Sequence, residues 1–224
     1  MTDRDPLLDT LCADLRAAHG AHAIVLYGSH ADGTATPESD VDIAVFADVE
    51  RELRDARWVH GVFLDAFVHP LALLDAEPGD ALLKLGDSVV LLDDDGRAAR
   101  LVERVRAKLA AGPAALAEDD AQMRRTWAWK MMDRIGRGDA EGDYRRHWLL
   151  MQLLEDWFAL RGRWYLGPKR ALAWLQREDP AAHALFAAAL RPGAEDAAIR
   201  ALVTAAAGPD PRSGHPTPPV NTPR

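Results

Sequence analysis

Ile24-Val25-Leu26-Tyr27-Gly28-Ser29, followed after a polar stretch by Ser39-Asp40-Val41-Asp42-Ile43-Ala44-Val45, is the part of the chain from which the fold is read. The first run is short, apolar and β-prone, and Gly28-Ser29 ends it, which predicts a buried strand breaking into a turn. Gly28 lets the backbone come close to something bulky. A helix starting there turns its free N–H groups and the Ser29 hydroxyl outward, the geometry that holds a phosphate. In the second run Asp40 and Asp42 are two residues apart. The period of a strand then points both carboxylates to one face and Val41, Ile43 and Val45 to the other. Two carboxylates aimed at one place repel unless a cation lies between them. Hard divalent ions with oxygen ligands, Mg²⁺ above all, meet that need and usually come with substrate phosphates.

Working outward, Trp58 to His69 is expected as a third strand closed by Pro70. On it Asp65 alternates with Phe63 and Phe67. A carboxylate on an otherwise aromatic face needs a partner, and the ion at the Asp pair is the expected one. The charged stretch Glu50 to Arg57 reads as helix or loop on the surface.

Gly-Ser, a spacer, Ser-Asp-Val-Asp and a third acid on a later strand together resemble the nucleotidyltransferase fold of the DNA polymerase β-like superfamily. The likeness is to its small bacterial members, the aminoglycoside and lincosamide nucleotidyltransferases and the minimal nucleotidyltransferase antitoxins. It implies an α+β fold, a mixed sheet flanked by helices, followed by a helical bundle. It also implies metal ligation by Asp40, Asp42 and Asp65, nucleotide binding by Gly28, Ser29 and Ser39, and Mg²⁺ with ATP or another nucleoside triphosphate as substrate. Many relatives have arginine where this chain has Asp32, a departure that bears on the nucleotide grip.

The 224 residues suit one large domain or two small ones. A net charge of −8 argues against broad nucleic-acid binding, which needs a basic face to release counterions, and favours a cationic acceptor. Cys12, the single cysteine, excludes an intrachain disulfide, fits the cytosol and reads as a small core residue of the first helix. The N-terminus has no secretion signal, and no stretch is apolar enough to span a bilayer.

Pro6 to His19 has leucines at helical spacing with Gly20 as a stop. Leu71 to Leu85 reads as helical with a break at Pro78-Gly79, Ser88 to Leu92 as a fourth strand, Asp93 to Gly96 as a solvated turn, and Arg97 to Ala111 as a helix. A boundary is expected at Gly112-Pro113, giving residues 1–112 as the catalytic domain, 113–207 as a helical bundle and 208–224 as a disordered proline-rich tail. In the bundle, Tyr144 to Leu160 is apolar almost all round and is expected to be buried. Glu155 and Asp156 interrupt it and call for cations. Six of the tryptophans fall in this half, most at core spacing, with one free to stack on a base or acceptor ring. Gly167-Pro168 starts a further helix, and Pro180 to Leu190 and Glu195 to Ala206 read as two more. The stretch Gly167-Pro168-Lys169-Arg170 resembles the helical half of the small bacterial enzymes, where a lysine reaches the triphosphate across a cleft that also holds the acceptor. The plain alternative is that Lys169 or Arg170 pairs with Glu155 or Asp156.

The resemblance thus implies a metal-dependent enzyme, active as monomer or homodimer. It would move a nucleoside monophosphate, AMP from ATP, to a hydroxyl of a small molecule such as an aminoglycoside or lincosamide, through two ions. Asp65 or Glu155 would take the proton and Lys169 would balance the leaving charge. A second reading gives the same chemistry a partner toxin as acceptor. A third, a non-catalytic or ribonuclease-like helical protein, rests on Arg177 and His183, but Pro180 would break the helix that should present them.

Overall fold

The computed structural model describes residues 5–212. The chain divides into two compact units, residues 1–111 and 112–224.

The first unit is built on a five-stranded mixed sheet. Its strands are β1 (Ala23–Tyr27), β2 (Val41–Ala47), β3 (Leu53–Val59), β4 (Val62–Pro70) and β5 (Val89–Asp93), in the order β3-β4-β2-β1-β5. Only β2 and β4 run parallel. Helix α1 (Pro6–His19) begins where the Asp5 side chain accepts a hydrogen bond from the Leu7 N–H at 2.9 Å, and it ends at Gly20 in the left-handed conformation. Its Leu11 and Leu15 pack on Ile24, Leu26, Ile43, Val45, Leu64 and Val68, all from one face of the sheet, and Cys12 lies partly buried at the edge of the same core. Each such side chain contributes about 1.5–3 kcal/mol by leaving water, against about 0–1 kcal/mol for an exposed ion pair, so this apolar layer holds the sheet.

On the opposite face Val25, Ala44 and Phe46 are also buried. That side is covered by two 3₁₀ helices, Leu71–Leu74 and Asp80–Leu85, and by α3 (Arg97–Ala111). The cover reaches Tyr27, which is buried, while Asp42 and Asp65 are half-buried.

Three sequence expectations are corrected here. The charged stretch before Trp58 is a strand, β3, paired antiparallel with β4 at the sheet edge, and it carries Arg54, Asp55 and Arg57. Trp58 to His69 is therefore a hairpin. His60 and Gly61 turn it, both with positive φ (50° and 84°), the turn that matches strand twist. The stretch read as a broken helix is two 3₁₀ segments.

The second unit holds α4 (Glu118–Ile135), α5 (Ala140–Ala159), α6 (Pro168–Glu178), α7 (Pro180–Ala189) and α8 (Asp196–Ala207). Asp139 and Asp179 cap α5 and α7 by accepting from Gly142 N at 2.8 Å and Ala182 N at 3.0 Å. Trp129, Leu149, Leu153, Trp157, Phe186 and Leu202 fill its core. Helix α5 is not buried all round: Tyr144 and Met151 are each 66% exposed, so only its Leu149, Leu153 and Trp157 side is core. Asp156 is buried, and Arg124 from α4 and Gln152 both donate to it. Of the stretch expected as a tail, residues 208–212 are described. Trp129 Nε1 donates to the Gly208 carbonyl at 3.1 Å and Arg212 pairs with Asp133 at 2.7 Å. The remainder of that expectation lies outside the described residues. No described helix is long and apolar enough to cross a membrane.

His69, on β4, is buried between Phe46 and Phe67, with ring centroids 5.5 and 6.2 Å away. Burial pushes its pKa below the ordinary 6.5. Glu52 Oε2, 2.9 Å from Nδ1 but without the alignment of a hydrogen bond, only partly offsets this. Above its unfolded value the ring is neutral in both states. As pH falls through that value and then through the lowered folded one, the unfolded chain takes the proton first and stability is lost. Urea unfolding at pH 7.5 and 5.0 should show wild type losing more stability on acidification than His69→Phe; equal losses would exclude His69 as the source.

Candidate active site

Strand pairing brings the acidic residues together. Asp42 is the Cα partner of Tyr27 on β1 and of Asp65 on β4. Directly opposed residues share a face, so the three side chains form a row across the sheet, and Asp40, just before β2, is near enough for its charge to act on Asp42.

Gly28 makes the corner beside them. It has φ 70° and ψ −155°, a region open only to glycine, and a Cβ there would collide with Asp42 Oδ2. The backbone at Gly28 therefore lies against the Asp42 carboxylate. Ser29 opens α2 (Ser29–Asp32), a single turn. Asp32 faces back into the loop, its Oδ1 accepting from Thr34 N at 3.0 Å and Thr34 Oγ1 at 2.6 Å, which ties it to its own turn. Ser39 has a local role as well: its Oγ accepts from the Thr36 N–H at 2.9 Å and closes the loop that delivers the Asp pair.

Burial, then the charges of Asp65 and Asp40, push the Asp42 carboxyl above its usual range; Lys84 and His30 only partly counter them. His30 Nε2 is itself buried without a hydrogen-bond partner. This corner is short of positive charge, which suits a divalent cation at Asp40 and Asp42. Asp65 fits less simply. Arg54, on β3, donates from Nε and Nη2 to its two oxygens, both at 2.8 Å. The partner expected to be a metal ion is an arginine. Among the described residues no group of three or more His, Cys, Asp or Glu side chains is gathered to hold a metal.

Lys84, from the second 3₁₀ helix, completes the site. Its ammonium donates to Tyr27 Oη at 3.0 Å and sits 3.9 Å from the Phe67 ring centroid and 4.6 Å from that of Tyr27. Burial pushes Lys84 below the usual lysine range, against the pull of Glu52, Asp42 and Asp65, while burial and the charges of Asp42 and Asp65 push the Tyr27 hydroxyl upward. Sequence reading missed Arg54, Lys84 and His30. The first was detectable had the edge strand been recognised: its Cα partner is Phe67, which makes Asp65 its diagonal neighbour on the same face. Lys84 carried no local signal.

The helical unit holds the other expected residues. Lys169 is exposed in the first turn of α6. Glu155 lies 3.5 Å from Arg124 and lines a cavity of about 330 Å³ with Trp127 and Trp148.

Residues 8–81 match the family model described as "Nucleotidyltransferase domain". That span contains Gly28, Ser29, Asp40, Asp42 and Asp65, so the chain carries a nucleotidyltransferase domain followed by helices, and nucleotidyl transfer is the reaction class the match indicates. No curated protein matches the chain. A solved structure, a nucleotidyltransferase-like protein from Exiguobacterium sibiricum 255-15, is similar at 11% identity, with 89% of this chain and 75% of that chain covered and a TM-score of 0.43.

Proposed function

On the premise of a nucleotidyltransferase domain at residues 8–81, we propose that the protein transfers AMP from ATP to a hydroxyl of a small-molecule acceptor. The observation that carries this reading is Asp42: a partly buried carboxylate set between Asp65 and Asp40 and pressed against the Gly28 corner.

Asp40 and Asp42 would hold the divalent ion, with Asp65 joining them for a second. Bound there, magnesium neutralises the triphosphate and lowers the pKa of the attacking hydroxyl. The Gly28 backbone and the Ser29 hydroxyl hold the β- and γ-phosphates. Lys84 and Arg54 place positive charge beside the same row and favour the leaving pyrophosphate. The acceptor oxygen bonds to the α-phosphorus as the bond from that phosphorus to the bridging oxygen breaks. Asp65 takes the hydroxyl proton, and pyrophosphate departs. The net charge of −8 favours a cationic acceptor, in keeping with an aminoglycoside.

The test is transfer of label from α-³²P-ATP, compared with γ-³²P-ATP, to a panel of aminoglycosides and lincosamides. Label from the α position alone is expected on an acceptor, with pyrophosphate released. Label from the γ position would make the protein a phosphotransferase and end this reading.

A further inference from the structure

Asp65 is the carboxylate that the proposed chemistry asks to share a second divalent ion, yet both of its oxygens are already taken by one cation. Arg54 grips it through two 2.8 Å hydrogen bonds in the fork geometry that suits a carboxylate best. The pair is well placed rather than incidental. Asp65 is only 17% exposed, whereas Arg54 is 57% exposed and comes from the edge strand. The carboxylate is thus fixed by the sheet while the guanidinium stands at the solvent side, where it can move without disturbing the core. Arg54 Cζ also lies 5.2 Å from the centroid of the Phe67 ring, which Lys84 Nζ approaches to 3.9 Å.

The two other acids of the row are treated differently. Among the described residues no hydrogen bond or ion pair to Asp42 matches the Arg54 fork. Lys84 donates to Tyr27 Oη instead. The protein therefore gives Asp65 a direct cationic partner, while the Lys84 ammonium is spent on Tyr27.

We propose that Arg54 competes with a divalent cation for Asp65, so that the nucleotide-free protein binds one divalent ion, at Asp40 and Asp42, and gains the second only when Arg54 lets go. This rests on the nucleotidyl-transfer reading for the identity of the ions. A triphosphate, which carries more negative charge than a single carboxylate, is the ligand able to draw Arg54 away. Arg54 is then a positioning residue that makes assembly of the two-ion site depend on nucleotide.

Mn²⁺ binding to the full chain, followed by the loss of the free-ion electron paramagnetic resonance signal without nucleotide, reads this directly. Wild type is expected to bind one ion, and Arg54→Ala two. The second should bind at least about tenfold more tightly than any second ion on wild type, the scale of a lost charge-assisted hydrogen bond. Asp65→Asn in the Arg54→Ala background should return the count to one. Arg54→Lys, a single point charge without the fork, should fall between. Circular dichroism checks that each variant folds. Equal stoichiometry and affinity in wild type and Arg54→Ala would overturn the proposal. If wild type already binds two ions while label from α-³²P-ATP is still transferred, the competition fails and the reading stands. If neither protein binds Mn²⁺, both the competition and the metal sites of the reading fail.

Discussion

Asp42→Asn should abolish nucleotidyl transfer and, in metal-free buffer, make the protein more stable. The first effect follows from the loss of a charged ligand for the ion that neutralises the triphosphate, worth several kcal/mol in the transition state, so turnover should fall by about 10³ or more. The second follows from the direction in which Asp42 is shifted. Burial and the charges of Asp65 and Asp40 raise its pKa in the folded chain. The folded state then binds a proton more readily than the unfolded one. The stability this gives is fully present below the unfolded value and is lost as pH rises through the folded value, so at neutral pH the ionised carboxylate is a cost. Asparagine keeps the shape and removes the charge. Thermal unfolding in chelator should place Asp42→Asn above wild type at pH 7.5, with the gap closing as pH approaches the unfolded value. A variant less stable than wild type at pH 7.5 would mean that Asp42 is compensated by a partner and that the shortage of positive charge is not real.

Gly28→Ala should lose both stability and activity through one displaced contact. The new Cβ meets Asp42 Oδ2, with Asp42 Cγ only 3.1 Å away, and the backbone at φ 70° and ψ −155° is closed to residues with a side chain. Strain of this kind costs about 1–3 kcal/mol. For a unit of about 100 residues, each 1 kcal/mol moves Tm by about 4–8 °C. Because relief comes from pushing Asp42 or the corner aside, transfer should fall nearly as far as in Asp42→Asn. Gly33→Ala is the matched control: φ there is 76°, but a Cβ would meet nothing within 4 Å, so only conformational strain is added and the site is untouched. Equal loss of activity in the two variants would show that strain in the loop, not contact with Asp42, is responsible.

Much of the first unit was legible in the sequence because its inner strands obey a period of two. Ile43 and Val45 go to the α1 side and Asp42 to the other, so the alternation that identifies the strand also assigns that carboxylate to a face. Asp65 was reached through the resemblance, which asks for a third acid on a later apolar strand. The edge strand β3 was not, because Arg54, Asp55 and Arg57 give it the charge that an exposed edge uses to avoid pairing with other chains, and this reads as a surface loop. Missing β3 meant missing Arg54, and with it the fact that Asp65 already has a cation.

Lys84 illustrates a different limit. It reaches Tyr27 across 57 positions of sequence from a 3₁₀ turn, and no local pattern encodes such a contact. In the helical unit the run Trp148 to Phe158 was apolar enough to predict burial, yet Trp148 is 38% exposed and Met151 more so. Helix α5 has neighbours on part of its circumference only, and composition does not say which part. The proline starts were simpler: Pro168 and Pro180 mark helix starts by chemistry that acts over a few residues.

The central claim is that Asp40 and Asp42, beside the Gly28-Ser29 corner, hold a metal-bound triphosphate. Calorimetric titration with ATP in magnesium and again in chelator tests it without needing the acceptor. Binding is expected in magnesium, with loss in chelator, in Asp42→Asn and in Gly28→Ala. Binding of the same affinity with magnesium removed and Asp42 replaced would contradict the account.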